Sequence, residues 1–222
     1  MSTQTNTTNR AFVIETDTAL LHGVTRSAEP LLALFKENGL EMTPWQIIQR
    51  VVGSTPERFV DQAFPGNTKP GLPEAIRSTV LAALQEGAAK LVEDVGMIVA
   101  ELAPKNVKVV LVSALPDTRL KEMLGDTLRD QVQVVQVKRS HCFVYRSETW
   151  CAVCARVKVH TRLSVAVVGS AISCRAALAA GLHAIAAYDP LMEGNDFSGA
   201  DYVTGKVDKK MVAEGLRRLR LA

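Results

Sequence analysis

The chain has 222 residues, of which 47% are hydrophobic, and its 26 basic and 23 acidic residues leave a formal net charge of +3. This length and apolar content predict one large globular domain, or a core with a small insertion. The near balance of charge argues against nucleic acid and an anionic membrane surface as partners. No apolar run approaches the ~18 residues of a membrane-spanning helix. The polar segment 1–10 is predicted to be a disordered leader, not a signal peptide.

The first predicted element is a buried strand over residues 11–14, where the apolar run AFVI leads into Glu15 and Asp17. An apolar run of this kind is typical of a strand covered on both faces of a parallel sheet. Residues 27–91 then show helical spacing and no strand pattern. We expect a helix over 27–38 with Ser27 as its N-cap, shorter helices after Thr43 and Thr55, and a long helix over 74–91.

Strands and helices alternate in the rest of the chain. Helices are predicted over 95–102, 116–124, 148–157, 173–181 and 209–221, and strands over 107–113, 132–137, 163–169, 183–188 and 201–203. This alternation predicts an α/β fold with a doubly wound, Rossmann-like parallel sheet. Residues 11–26 and 92–222 are predicted to form this core. Residues 27–91 are predicted to form a helical cap above the C-terminal ends of the strands.

Three segments of this pattern resemble motifs of the haloacid dehalogenase (HAD) superfamily. The strand followed by ETDTAL at 15–20 is similar to the family's apolar strand and Asp-x-Asp-Gly-Thr-Leu. Segment 94–124 is similar to the second motif, and segment 163–185 to the fourth motif with its following helix. The order of elements resembles phosphoglycolate-phosphatase-like members, which carry an all-helical cap. The resemblance implies a Mg²⁺-dependent phosphatase acting on a phosphorylated small molecule.

The resemblance also implies roles for single residues. In the family the first Asp of the opening motif attacks phosphorus and the second is the general acid/base; the matching residues are Glu15 and Asp17. Ser113 matches the phosphate-binding hydroxyl of the second motif. Arg146 best matches the position of the family's charge-neutralising lysine, with Lys158 as the second candidate. The choice between these two cations stays open at this point.

The metal-binding residues that the resemblance implies are Glu15, Asp17 and Ser170. Ser170 stands where the family has an aspartate, and a neutral hydroxyl is a poor ligand for a hard dication. Glutamate in place of aspartate moves the attacking oxygen by about 1 Å, and a displacement of that size can cost ~100-fold in rate. The sequence therefore predicts a weak or lost Mg²⁺ site and an eroded catalytic site.

Three functional hypotheses follow from these motifs. The first is a HAD-like protein with weak or no phosphatase activity, which binds a phosphorylated small molecule or nothing. The second is an active Mg²⁺-dependent phosphatase with Glu15 as nucleophile. The third is a non-catalytic module that binds a protein partner.

Two other features of the sequence are candidate sites. Cys151 and Cys154 form a Cys-x-x-Cys pair that is predicted to lie on the apolar face of a helix; the alternative is a metal site shared with His141 and His160. With no secretory signal, the cysteines predict reduced thiols and a cytoplasmic protein. His22, just after the first motif, is either a ligand contact or a polar loop residue.

Overall fold

The computed structural model describes residues 9–66, 69–138, 142–143 and 145–221. Most of the predicted leader lies outside these residues. Within them, six parallel strands form one sheet in the order β3-β2-β1-β4-β5-β6. The strands are β1 (Ala11–Glu15), β2 (Lys108–Ser113), β3 (Gln133–Gln136), β4 (Ser164–Val168), β5 (His183–Ala187) and β6 (Tyr202–Thr204). The predicted α/β fold with a doubly wound parallel sheet is confirmed.

Helices separate and follow these strands. Between β1 and β2 lie α1 (Gly23–Glu37), α2 (Pro44–Arg50), α3 (Pro56–Ala63), α4 (Leu72–Gln85) and α5 (Ala88–Leu102). The later helices are α6 (Asp117–Arg129), α7 (Ser147–Arg156), α8 (Ala171–Ala179) and α9 (Lys209–Arg218). No helix in the described part of the chain is both long and apolar enough to cross a membrane. The domain boundaries at residues 26/27 and 91/92 stay a prediction.

The side chains of β1 alternate between two hydrophobic clusters. Ala11 and Val13 belong to the cluster that also takes buried residues of α1 to α4, α7 and α8. Phe12 and Ile14 belong to the other cluster, which contains residues of α5, α6 and α9. Successive side chains of a strand point to opposite faces, so a strand covered on both faces needs an uninterrupted apolar run. This explains why AFVI precedes the first carboxylate.

The N-terminus of α1 differs from the prediction. The helix begins at Gly23, and Ser27 is not its N-cap: the Ser27 hydroxyl donates to the Gly23 carbonyl at 2.7 Å inside the first turn. The free N–H groups of the helix are bound from another element, because Val24 and Thr25 donate to the carboxylate of Asp189. A side chain that is distant in sequence takes the place of a local N-cap. Rules that consider only neighbouring residues therefore placed the start of α1 too late.

The prediction of one long helix over residues 74–91 is also wrong. The chain forms two helices, and α4 ends at Gln85 while α5 begins at Ala88 and includes the predicted short helix 95–102. Gly87 lies at the break, where an added Cβ would come within 2.7 Å of the Leu21 side chain. The next two helices begin where they were predicted to begin, and their N-caps are Thr43 and Thr55, which accept hydrogen bonds from the N–H groups of Gln46 and Arg58.

Candidate functional site

Four predicted site residues lie at the C-terminal edge of the sheet. Glu15 ends β1 and leads into a π-helical turn over Thr16–Leu20, which contains Asp17. Ser113 ends β2, and Ser170 follows β4. All four side chains are buried. The edge next to β1 is where the strand order reverses, which is the usual ligand-binding place of open α/β sheets.

Among the described residues, three groups donate hydrogen bonds to the carboxylate of Asp17. The Ser113 hydroxyl donates to Oδ1 in a short hydrogen bond. The backbone N–H of Ala114 and the hydroxyl of Tyr145 each donate to Oδ2, both at 2.9 Å. Ser113 Oγ in turn accepts from the N–H of Leu115 at 3.0 Å. The polar groups at the end of β2 thus converge on an internal carboxylate.

The carboxylate of Glu15 turns the other way, towards β4 and α8. Its Oε1 accepts from the Ser173 hydroxyl at 3.0 Å, and its Oε2 accepts from the N–H of Gly169 at 3.4 Å. Ser170 Oγ accepts from the N–H of Ser173 at 3.2 Å and is the N-cap of α8. The two carboxylates therefore bond to different strand ends.

Tyr145 connects the two carboxylates and was missed at the sequence level. Its hydroxyl bonds to Asp17, and its backbone N–H donates at 3.4 Å to Ser173 Oγ, the group that donates to Glu15. The ring is buried and meets Trp150 edge-on at 6.0 Å between centroids. Tyr145 lies between β3 and α7, in a segment whose sequence has no periodic pattern. The one sequence feature that could have pointed to Tyr145 as a site residue is its position shortly before the predicted helix 148–157.

The two candidate cations lie at different places. Arg146 is exposed, directly before α7, and lines a surface cavity with Gly53, Ile172 and Arg175. Lys158 follows the other end of α7 and shares a groove with Lys108, the first residue of β2. Lys158 is therefore at the N-terminal edge of the sheet, away from Glu15 and Asp17, which leaves Arg146 as the nearer of the two candidates.

A second buried polar group lies beside the start of α1. Asp189, just after β5, is fully buried and accepts hydrogen bonds from Val24, Thr25 and Leu191. Burial raises the pKa of Asp189, and the donors of Thr25 and Leu191 oppose this shift. His22 precedes the helix in a left-handed conformation with φ +49°. Burial lowers the pKa of His22, while the charges of Asp189 and Asp94 act in the opposite direction.

The cysteine pair lies on α7, as the helix prediction requires. Cys151 is exposed and Cys154 is buried. Burial raises the pKa of the Cys154 thiol to about 11, which makes its reactive thiolate scarce at neutral pH. Among the described residues, no group of three or more His, Cys, Asp and Glu side chains is placed to hold a metal ion. His141, part of the alternative metal site, lies outside these residues.

Several solved structures are similar to this chain over most of its length. CbbY from Rhodobacter sphaeroides, in complex with phosphate, matches with a TM-score of 0.64 at 17% identity, over 95% of this chain and 99% of CbbY. A β-phosphoglucomutase from Clostridium difficile matches with 0.68 at 11% identity, over 96% and 99%. A HAD family hydrolase from Deinococcus radiodurans, with bound phosphate and sodium, matches with 0.59 at 16% identity, over 89% and 91%.

The chain has the fold of the HAD family. The predicted resemblance to this family is confirmed at the level of the fold, because the identities are low and a similarity of this kind concerns the backbone arrangement alone. No family model matches the sequence, and no curated protein matches it. A fold alone does not define a function, which depends on the residues of the site.

Proposed function

We propose that this chain is a HAD-fold protein with an eroded phosphatase site and weak or no phosphatase activity. The observation that carries the proposal is the bonding of Asp17. Ser113, whose hydroxyl the resemblance assigns to phosphate, donates to Asp17, and so does the adjacent N–H of Ala114. A buried carboxylate thus occupies donors that an anionic substrate would need, and a phosphoryl group would have to displace it.

The oxygens of this edge do not fit a Mg²⁺ ion. Mg²⁺ requires near-octahedral coordination by oxygens with free lone pairs, commonly from carboxylates and water. Both oxygens of Asp17 and both oxygens of Glu15 face N–H or O–H donors. Ser170 Oγ is used as a helix cap and carries no charge. We therefore propose that Mg²⁺ binding is weak or lost.

Glu15 is a poorly placed nucleophile in this arrangement. Its carboxylate is held towards β4 and α8 by Ser173 and Gly169, whereas the phosphate-type donors lie at the end of β2. Phosphoryl transfer depends on positioning and on stabilisation of developing charge, so a nucleophile bonded to a different strand end loses both. If the chain binds a small phosphorylated ligand, we propose Arg146 as the cation that contacts it, since it is the nearer of the two candidates to the site.

The proposal is tested by an assay of aryl phosphate hydrolysis with and without Mg²⁺. We expect the wild-type protein to release no more phosphate than Asp17→Asn. Mg²⁺-dependent turnover that Asp17→Asn abolishes would contradict the proposal and support an active phosphatase with Glu15 as nucleophile. The double variant Glu15→Asp with Ser170→Asp tests the erosion directly. If the double variant gains activity and neither single variant does, the substitutions at these two positions account for the loss of catalysis.

The stability of Asp17→Asn provides a second readout. The amide removes the charge and turns a donor towards groups that are themselves donors. Hydrogen bonds to a buried charged group contribute roughly 1.5–3 kcal/mol each. We expect urea denaturation to show a loss of about 2 kcal/mol or more in the free energy of unfolding. Catalytic carboxylates are commonly kept at a cost in stability, so a stability gain in Asp17→Asn would argue against a purely structural network.

A further inference from the structure

Two cavities lie along β3, the first strand in the sheet order. One cavity of about 510 Å³ is lined by Gln136 and Lys138 at the C-terminal end of the strand. A second cavity of about 570 Å³ is lined by Gln133 and Val135 further back. Arg156, at the end of α7, lines both cavities. We call the two together the β3 trough.

The β3 trough is strongly basic although the whole chain is almost neutral. Its lining contains seven lysine and arginine residues and two aspartates. Within the part of the chain that the structure describes, the side chains of Lys138, Arg156 and Lys158 have no hydrogen bond or ion pair. Lys108 donates to the carbonyl of Val157 at 2.9 Å, which leaves its charge unneutralised. Four cations in the trough therefore remain available for an anionic partner.

The backbone of β3 offers hydrogen bonds along the same trough. The N–H of Val137 donates to the Ser113 carbonyl of β2 at 2.9 Å. Backbone groups alternate in direction along a strand, so those of Val134 and Gln136 point away from the sheet. β3 is the edge strand and pairs only with β2 among the described strands. An unpaired edge of this kind is a template for the addition of another strand.

We propose that the β3 trough binds an extended, acidic segment of a protein partner, which adds to the sheet as a strand beside β3. Charge complementarity selects an acidic segment, and the open backbone edge selects an extended one. The lining also contains six valines, which suits alternating apolar side chains. The described residues of the lining include no aromatic ring on which nucleic acid bases could stack, so a peptide is favoured over a single strand of DNA or RNA.

The test is fluorescence anisotropy with a short labelled peptide of alternating valine and glutamate. We expect wild-type protein to bind this peptide, and the double variant Arg156→Glu with Lys158→Glu to bind about tenfold more weakly or worse, because two attractions become repulsions. The matched control is Lys36→Glu with Arg50→Glu, which makes the same change in net charge on α1 and α2. Equal affinity of the trough variant and the control would overturn the proposal.

Two further probes separate strand addition from simple charge attraction. The same peptide with N-methyl groups on alternate residues keeps its charge but loses the N–H groups that face β3. We expect it to bind several-fold more weakly, and equal binding would overturn strand addition. An oligothymidylate of the same net charge is expected to bind more weakly than the peptide. Tighter binding of the oligothymidylate would overturn the peptide as the occupant. Phosphatase activity is independent of all these outcomes.

Discussion

His22 shows how burial sets the behaviour of a single residue near the candidate site. The residue lies between the end of the π-helical turn and the first turn of α1, and its Nδ1 is buried with no hydrogen-bond partner among the described residues. The surrounding charges have opposite effects: Asp189 and Asp94 raise the pKa of His22, and Arg26 and Lys90 lower it. Burial dominates, and the pKa of His22 is lowered.

This shift predicts a pH dependence of stability. Because the folded-state pKa of His22 lies below the unfolded value of about 6.5, the unfolded chain takes up the proton first. The contribution of His22 is complete above pH about 6.5 and is lost as pH falls through the folded-state pKa. We expect His22→Asn, which tolerates φ +49°, to lose less unfolding free energy than wild type between about pH 8 and about pH 5.

The measurement is urea denaturation at both pH values. The exposed His160 provides the matched control, since His160→Asn removes a histidine on the surface. An identical pH dependence in His22→Asn and wild type would contradict the predicted shift. Carboxyl groups elsewhere also titrate in this range, and the comparison between variants removes their common contribution.

At the scale of elements, the junction between β4 and α8 is built around a close backbone approach. Gly169 follows β4, and an added Cβ would lie 2.5 Å from the backbone and side chain of Thr18 in the π-helical turn. Glycine is required here by contact and not by a left-handed φ. The sequence showed a glycine at a strand-to-helix turn, but the tight contact with Thr18 follows only from the packing of β1 against β4.

We expect Gly169→Ala to destabilise the protein by about 1–3 kcal/mol, because the methyl group overpacks against backbone atoms that cannot move alone. Gly194→Ala is the matched control, since nothing lies within 4 Å of its added Cβ. Thermal unfolding followed by circular dichroism measures both. Equal melting temperatures for the two variants would contradict the close approach.

At the scale of the whole molecule, the helices between β1 and β2 share a core with the sheet. Ile47 of α2 and Phe59 of α3 belong to the same buried cluster as Val13 of β1 and Trp150 of α7. A continuous cluster couples the unfolding of its parts, because exposing one part leaves apolar surface of the other uncovered. The segment 27–91, predicted as a cap, is therefore expected to unfold together with the core.

The Trp45→Phe variant tests this cooperativity, since it leaves the buried Trp150 as the single tryptophan. We expect its fluorescence transition in urea to coincide with the far-ultraviolet circular dichroism transition, which reports on all helices. Trp150→Phe, which keeps only the exposed Trp45 of α2, is the complementary variant. Two separated transitions would instead indicate that the helical segment is an independently folding unit.

The sequence by itself determined where the strands lie along the chain and that they run parallel. Long apolar runs at β1, β2 and β4 that end in polar residues are local signals, and strands that alternate with helices must form a parallel sheet covered on both faces. Helix starts with a local cap, such as Thr43, were predicted for the same reason. The start of α1 was not, because its cap is Asp189, which lies 165 residues from Val24.

Only the tertiary structure decided how the candidate site is bonded. Glu15, Asp17, Ser113 and Ser170 could be placed at one sheet edge from the sequence, because each follows a predicted strand. The direction of each carboxylate could not, since hydrogen bonds form across loops that are far apart in the chain. Asp17 accepts hydrogen bonds from Ser113, which is 96 residues away in the sequence, and from Tyr145, which is 128 residues away. These contacts exist because the parallel strands bring their C-terminal ends to the same edge.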